Sequence, residues 1–104
     1  ANQVLETGGS SLFGADSFAH GILIIGPRNR ALHNDVITLK KQGTGTSVGL
    51  AYGVATQGGM AVGNRITAAD YGISMLGTAV KYRDNLTTGV TVAYANGINA
   101  GNNN

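Results

Sequence analysis

His20 and His33 stand 13 residues apart, with Asp16 and Asp35 near them in the chain. Two imidazoles with carboxylates are a donor set able to hold a divalent metal ion. Both histidines fall in polar, turn-like links, however, where surface histidines or an interface pair are the commoner outcome, so no metal and no other cofactor is expected. Ser, His and Asp all occur, but no Gly-x-Ser-x-Gly elbow or comparable local frame exposes a nucleophile. Five acidic residues spread along the chain give no carboxylate pair. Gly43-Thr44-Gly45-Thr46-Ser47 is glycine-rich, but it lacks the lysine and the following helix of a phosphate cradle and reads as a flexible hairpin link. Asn85-Leu86-Thr87 fits a glycosylation sequon, with no other sign of a eukaryotic secretory route. Arg28, Arg30, Lys40 and Lys41 form the one basic concentration. They suit an acidic partner surface, or equally a solvated edge that discourages sheet-to-sheet pairing. The expectation is a protein that is not an enzyme.

The elements that must position these residues are short. The chain repeats a phrase of a few apolar residues, a small one, and a polar link containing Gly or Asn. Anchored on Gly14, Gly26, Lys40, Tyr52, Gly63, Gly77 and Tyr94, the steps are 12, 14, 12, 11, 14 and 17 residues. An irregular repeat of short strands suits stacking, because each unit buries its apolar side only against a neighbour. Strands are expected at 22–25, 36–40, 47–56, 60–62, 73–76, 80–82 and 89–95. Residues 67–71 are the single place where a helical turn is expected, and Gly101 to Asn104 read as a polar tail. The fold class is all-β, either a short-stranded β-roll or solenoid-like stack or a compact β-sandwich, assembled as a homo-oligomer.

At 104 residues the chain is one domain. Only 12% of residues are charged, about half the usual share. The net charge of +2 is too small to argue for nucleic acid. Absence of cysteine excludes disulfides and thiolate metal sites. No apolar run approaches the roughly 18 residues of a membrane helix, and no membrane insertion is expected. Residues 1–11 read as an extended arm with Val4 and Leu5 as its apolar anchors, ordered by adding a strand to a neighbour's free edge; 12–104 form the β domain.

No Asp, Glu, Lys or Arg lies between Lys41 and Arg65, and none follows Asp84. In the first gap Val48, Leu50, Tyr52 and Val54 alternate with Gly49, Ala51, Gly53 and Ala55. In the second, Val90, Val92 and Tyr94 alternate with Thr91, Ala93 and Ala95. A period of two marks a strand, and a Gly/Ala face lets another backbone approach closely. Both faces of these strands therefore look covered. A chain this small lacks the material to cover both, so contacts between copies are expected at Val4, Leu5, Val48, Gly49, Leu50, Ala51, Tyr52, Val90, Val92, Ala93 and Tyr94.

The stretch from Gly58 to Gly77 resembles head repeats of the YadA-like trimeric autotransporter adhesins. Met60-Ala61-Val62-Gly63 and Ser74-Met75-Leu76-Gly77 stand where that family has Val-Ala-Ile-Gly, and Ala68 and Ala69 approximate its spacer alanines. Ser47-Val48-Gly49-Leu50 and the run from Ile22 to Gly26 match more loosely. The resemblance implies a left-handed parallel β-roll, packing of three chains, and a surface that binds host matrix. The sequence departs from the family in its uneven repeat length, in Lys40-Lys41 where Gly is usual, and in an added strand near Thr78 to Tyr82. No stretch matches the family's neck or membrane anchor.

The expected function is a non-enzymatic structural subunit that self-assembles, as a trimer, into a fibre, an adhesin head or a virion surface. The alternatives are a phage capsid decoration protein and a carbohydrate- or surface-binding module using Tyr71 and Tyr82. An outer-membrane barrel is disfavoured by strands shorter than the roughly 9–11 residues needed to span. The expected partners are copies of the chain, a larger assembly or a host surface, at an extracellular, cell-surface or virion location.

Overall fold

The computed structural model describes residues 2–5, 18–39, 41, 45–53, 56–76 and 79–104, and the chain there is all strand and turn, with no helix. The strands are β1 (Gln3–Leu5), β2 (Ala19–Ile24), β3 (Arg30–Leu32), β4 (Asp35–Ile37), β5 (Ser47–Tyr52), β6 (Met60–Val62), β7 (Arg65–Met75), β8 (Lys81–Arg83), β9 (Leu86–Ala95) and β10 (Ile98–Asn99). Each observed pairing is parallel. Parallel pairing excludes the hairpin link read for Gly43 to Ser47, because a hairpin joins antiparallel neighbours; residues 42–44 themselves lie outside the described residues.

Three faces result. A long face stacks β2, β5, the second half of β7 and the second half of β9. A short face stacks β3, β6, β8 and β10. A ladder face stacks β1, β4 and the first halves of β7 and β9. The partners Arg30, Met60, Lys81 and Ile98 stand one above another, so successive circuits take 30, 21 and 17 residues. Backbone spacing of about 4.8 Å sets the stacking, and loop length is free to vary around it.

The corners have a common device. His33, Gly63, Asp84 and Asn102 adopt φ of 53°, 66°, 56° and 54°, each just before an asparagine. One left-handed residue turns the chain without ending the ladder of backbone hydrogen bonds. Glycine, Asn and Asp carry it at low cost, whereas His33 is strained by about 1 kcal/mol. A second corner stacks Thr38, Ala68 and Gly89, at φ 56°, 59° and 64°. Here the structure replaces the expected helical turn over 67–71 with an unbroken strand bent at Ala68. Alanine favours helix alone, but Arg65–Met75 is hydrogen-bonded on both sides, to β4 and β5 and to β9, and that pairing prevails.

The four asparagines after the first corner form an internal ladder. Asn34 N–H and Nδ2–H donate to Asn64 Oδ1 at 3.0 and 2.9 Å. Asn64 donates in the same way to Asn85 Oδ1, and Asn85 to Asn103 Oδ1. Asn2 opens the series by donating to Asn34 Oδ1. The second Nδ2 hydrogen of Asn64 reaches Ala31 O and that of Asn85 reaches Ala61 O, both at the circuit before. Asn34, Asn64 and Asn85 are buried, and their amides meet the requirement that buried polar groups be paired. Asn103 and Asn104 are part of this ladder face, since Asn104 N–H donates to Asn85 O and Thr87 N–H to Asn104 O. The expected polar tail is a structural rung.

The core fills the space between the faces. Leu50 and Ile73, with Ile22 and Tyr94 above and below them, make one inward column; Tyr52 and Met75, with Ile24, make the next. Val36 and Ile66 enter from the ladder face, and Ala31 and Ala61 from the short face. Opposite Val36 and Ile66 the long face carries Gly21 and Gly49, followed by Gly72. A Cβ at Gly49 would lie 2.5 Å from Ile66 Cγ2 and 2.8 Å from Gly72 O. Glycine there is what lets the faces close. Toward the C-terminal end the alanine column of the short face becomes Tyr82, whose ring stacks on Tyr94 at 4.7 Å between centroids and 11° between planes. Tyr94 OH donates toward Asn85 O and Asn104 O.

The N-terminal segment also lies within this frame. Gln3, Val4 and Leu5 pair in parallel with Asp35, Val36 and Ile37 of the same chain, and Val4 packs on the core. Of the two anchors expected to seek a neighbour's edge, Val4 packs within its own chain, while Leu5 pairs with Ile37 in the ladder and keeps its side chain exposed, because Asn2 and β1 supply the next rung above β4. The expected boundary at residue 11 lies outside the described residues, as do Val54 and Ala55.

Candidate functional site

The long face has an outer side, and it carries a groove of about 370 Å3. Two columns of side chains form its floor: His20, Val48 and Tyr71, and Leu23, Ala51 and Ser74. Both belong to outward positions of strands whose other positions fill the core. Phe18 and Leu76 stand at the groove, each 66% exposed, with Leu23 at 53%. Among the described residues no Asp, Glu, Lys or Arg lines it. Leu23, Phe18 and Leu76 thus expose large apolar side chains together in one depression.

The residues expected at contacts do not keep the strict period of two read from the sequence, since Val48 is on the groove side while Leu50 and Tyr52 are interior, and Val92 is on the groove side while Val90 and Tyr94 pack on the core. Val48 and Ala51 are on the groove floor, and Val92 continues the column of Tyr71. Leu50 and Tyr52 are wholly interior, and Tyr94 and Val90 pack against the same core. Gly49 faces Ile66, and Ala93 lies beside Gly72. Every residue of β5 is buried within this one chain. The charge-free alternation of Ser47 to Tyr52 thus has an intramolecular cause. β5 sits between β2 and β7, with core on one side and groove side chains on the other, so no second copy is required to cover it. Leu23 and Leu76 fall within the strands expected at 22–25 and 73–76, where an apolar residue gives no sign of which side it faces, and Phe18 falls in no expected strand.

A second constellation joins Ser47, Asp70 and Lys41. Asp70 Oδ2 accepts Lys41 Nζ at 2.9 Å, Ser47 N–H at 2.9 Å and Ser47 Oγ at 3.2 Å. Ser47 Oγ in turn accepts Asp70 N–H at 2.9 Å. The Lys41 hydrogen bond first, and the Ser47 N–H next, hold the Asp70 carboxyl below the usual carboxylate range. Serine, acid and lysine in contact have the makings of an activated nucleophile. Here the serine is 3% exposed and its hydroxyl both donates and accepts within the cluster. The arrangement acts as a brace between successive circuits.

The histidines are apart in role. His20 lines the groove, while His33 occupies a corner, its ring against Gly63. Asp16 lies outside the described residues. Among the described residues no three of His, Cys, Asp and Glu come together as a metal-ligating group. Tyr52 OH donates to Met60 O at 2.7 Å, and burial pushes its phenol far above the ordinary value. No helix among the described residues is long and apolar enough to cross a membrane. Comparison with protein-family models, with curated proteins and with solved structures gave no match.

Proposed function

We propose that this chain is a non-enzymatic structural subunit that associates with copies of itself through the outer side of its long face. The observation that carries the reading is the groove, with no charged side chain among the described residues that line it and with Phe18, Leu23 and Leu76 exposed around it. Burying those three side chains against a second copy removes a large apolar area from water, at roughly 25 cal/mol per Å2. A threefold arrangement brings three long faces around one axis, as the likeness to adhesin head repeats implies, and suits a fibre, an adhesin head or a virion surface outside the cell. The stacked fold supports such a role, since its parallel rungs make a stiff body.

The test is mass in solution by sedimentation equilibrium. The wild-type chain is expected at three times its 10.6 kDa, and Leu23→Lys at the monomer mass with an unchanged circular dichroism spectrum. A wild-type monomer, or a Leu23→Lys variant that assembles normally, would sink the proposal.

One observation favours a second reading. Tyr71 and His20 share the groove, placing an aromatic ring beside a polar side chain, as sugar sites do. Tyr82, the other aromatic expected for sugar, is buried against Tyr94 instead. Retention on a glycan array that is lost in Tyr71→Ala would favour this reading.

A further inference from the structure

We infer that the short face is a docking surface for a linear acidic polysaccharide, separate from the face assigned to assembly. The inference starts from how the charges are paired. The described residues include three acids, and each is satisfied by one cation: Asp35 by Arg65 at 3.6 Å, Asp70 by Lys41 at 2.9 Å and Asp84 by Arg83 at 3.1 Å. Among the described residues, Arg28, Arg30 and Lys81 have no ion-pair partner. All three belong to one side of the molecule. Arg30 and Lys81 are exposed outward positions of β3 and β8, and Arg28 is exposed at the turn that leads into β3.

The register fixes their arrangement. Arg30, Met60 and Lys81 occupy one outward column, so the two cations are two rungs apart, about 9.6 Å at the usual strand spacing. Between and beside them lie Met60, Val62 and Leu32, which are apolar and at least partly exposed. The inward position of the same strands is taken by Ala31, Ala61 and Tyr82. The result is a rigid strip of positive charge with apolar patches between, backed by core. Carboxylate or sulfate groups along a sugar chain match the cations, and the C–H faces of the sugar rings match the apolar patches. Nucleic acid is a poorer fit. Tyr82 is turned inward and stacked on Tyr94, so the strip offers no aromatic platform for a base.

The experiment measures retention of the 104-residue chain on immobilised dextran sulfate and on polygalacturonate, with neutral dextran and duplex DNA beside them. The wild-type chain is expected to bind one or both acidic polysaccharides, to be released by added salt, and to ignore neutral dextran. Which acidic matrix holds it more tightly tells sulfate from carboxylate recognition. Replacing Arg30 and Lys81 together by Gln should weaken binding about tenfold. The control is Lys41→Gln with Arg65→Gln, which removes the same charge from other faces and should change affinity less than about threefold. Equal loss in the control would mean net charge alone is read and would overturn the proposal. So would no binding to either acidic polysaccharide, equal binding to neutral dextran, or tighter binding to DNA. The outcome is distinguishable from the assembly reading, because Leu23→Lys leaves the short face intact: the variant should still be held by the acidic polysaccharide, less tightly if it has lost the avidity of a trimer, and should lose that binding when Arg30 and Lys81 are also replaced.

Discussion

Asn64 donates its backbone N–H and its side-chain Nδ2–H to one atom, Oδ1 of Asn85, at 2.9 and 3.0 Å. The same amide group reaches the circuit before through Ala31 O at 2.9 Å. One side chain therefore ties three circuits together, and it does so in a place from which water is excluded.

Asn64→Ala should be the most damaging single change on the ladder. It leaves Asn85 Oδ1 short of one donor and the Asn34 N–H and Nδ2–H without their common acceptor, at a cost of about 3 kcal/mol. Asn103→Ala, at the partly exposed end of the series, should cost about 1 kcal/mol. Urea unfolding of the two variants would check the order; equal losses would show that position along the ladder does not matter.

Gly49→Ala tests the closure of the core. The added Cβ meets the side chain of Ile66 and the backbone oxygen of Gly72. The expected destabilisation is about 2 kcal/mol. Adding Ile66→Ala should recover only part of the interaction, because the Gly72 oxygen cannot move aside. A double-mutant cycle in thermal unfolding measures this coupling.

Asp70 makes stability depend on pH. Its carboxyl titrates lower in the folded chain than in the unfolded one, held down by Lys41 and Ser47. The unfolded value is about 3.9. The stabilisation is thus fully present above that pH and is lost as pH falls through the lower folded value. Asp70→Asn should lower the melting temperature by about 5 °C at pH 7. The gap between variant and wild type should close on acidification. A gap that stays constant with pH would assign the effect to packing.

Tyr94→Phe keeps the ring stack on Tyr82 and removes the hydrogen bonds to Asn85 O and Asn104 O. A loss of about 1 kcal/mol is expected. Amide exchange at Thr87, whose N–H is held by Asn104 O, should quicken more than exchange at Ile73 in the middle of the stack. Uniform acceleration would place the effect on global unfolding instead.

Leu76→Lys should behave like Leu23→Lys in assembly while leaving the melting temperature of the monomer within about 2 °C, since the side chain is 66% exposed. A large loss of stability would place Leu76 in the fold and not at the docking surface.

The all-β character was legible in the residues themselves. Met60–Val62 is a strand as read, Val36 and Ile73 fall in strands as the repeated apolar phrase implied, and Leu50 and Val90 fall in strands as the alternation of large and small residues implied. Corner chemistry was legible too, since Gly63, Asp84 and the asparagines mark the turns. The rest needed neighbours in space. β3 and β10 are only three and two residues long, too short for any period to declare them. Thr67-Ala68-Ala69 reads as helix until strands pair with it on both sides. Tyr52 and Ala51 are consecutive in a charge-free run, and the run alone does not say that one fills the core while the other floors the groove.

The sequence by itself determined that short apolar segments alternate with Gly- and Asn-containing corners, because strand period and left-handed turn preference are local properties. Tertiary structure decided which segments stack. Asn34, Asn64, Asn85 and Asn103 are spaced unevenly along the chain, yet they stand in one column with donor facing acceptor at every step. The physical reason is that backbone hydrogen bonding fixes the distance between rungs, while the loops absorb any difference in length. Alignment in space therefore leaves no period in sequence, and Arg30 and Lys81, 51 positions apart, come to share one column two rungs apart.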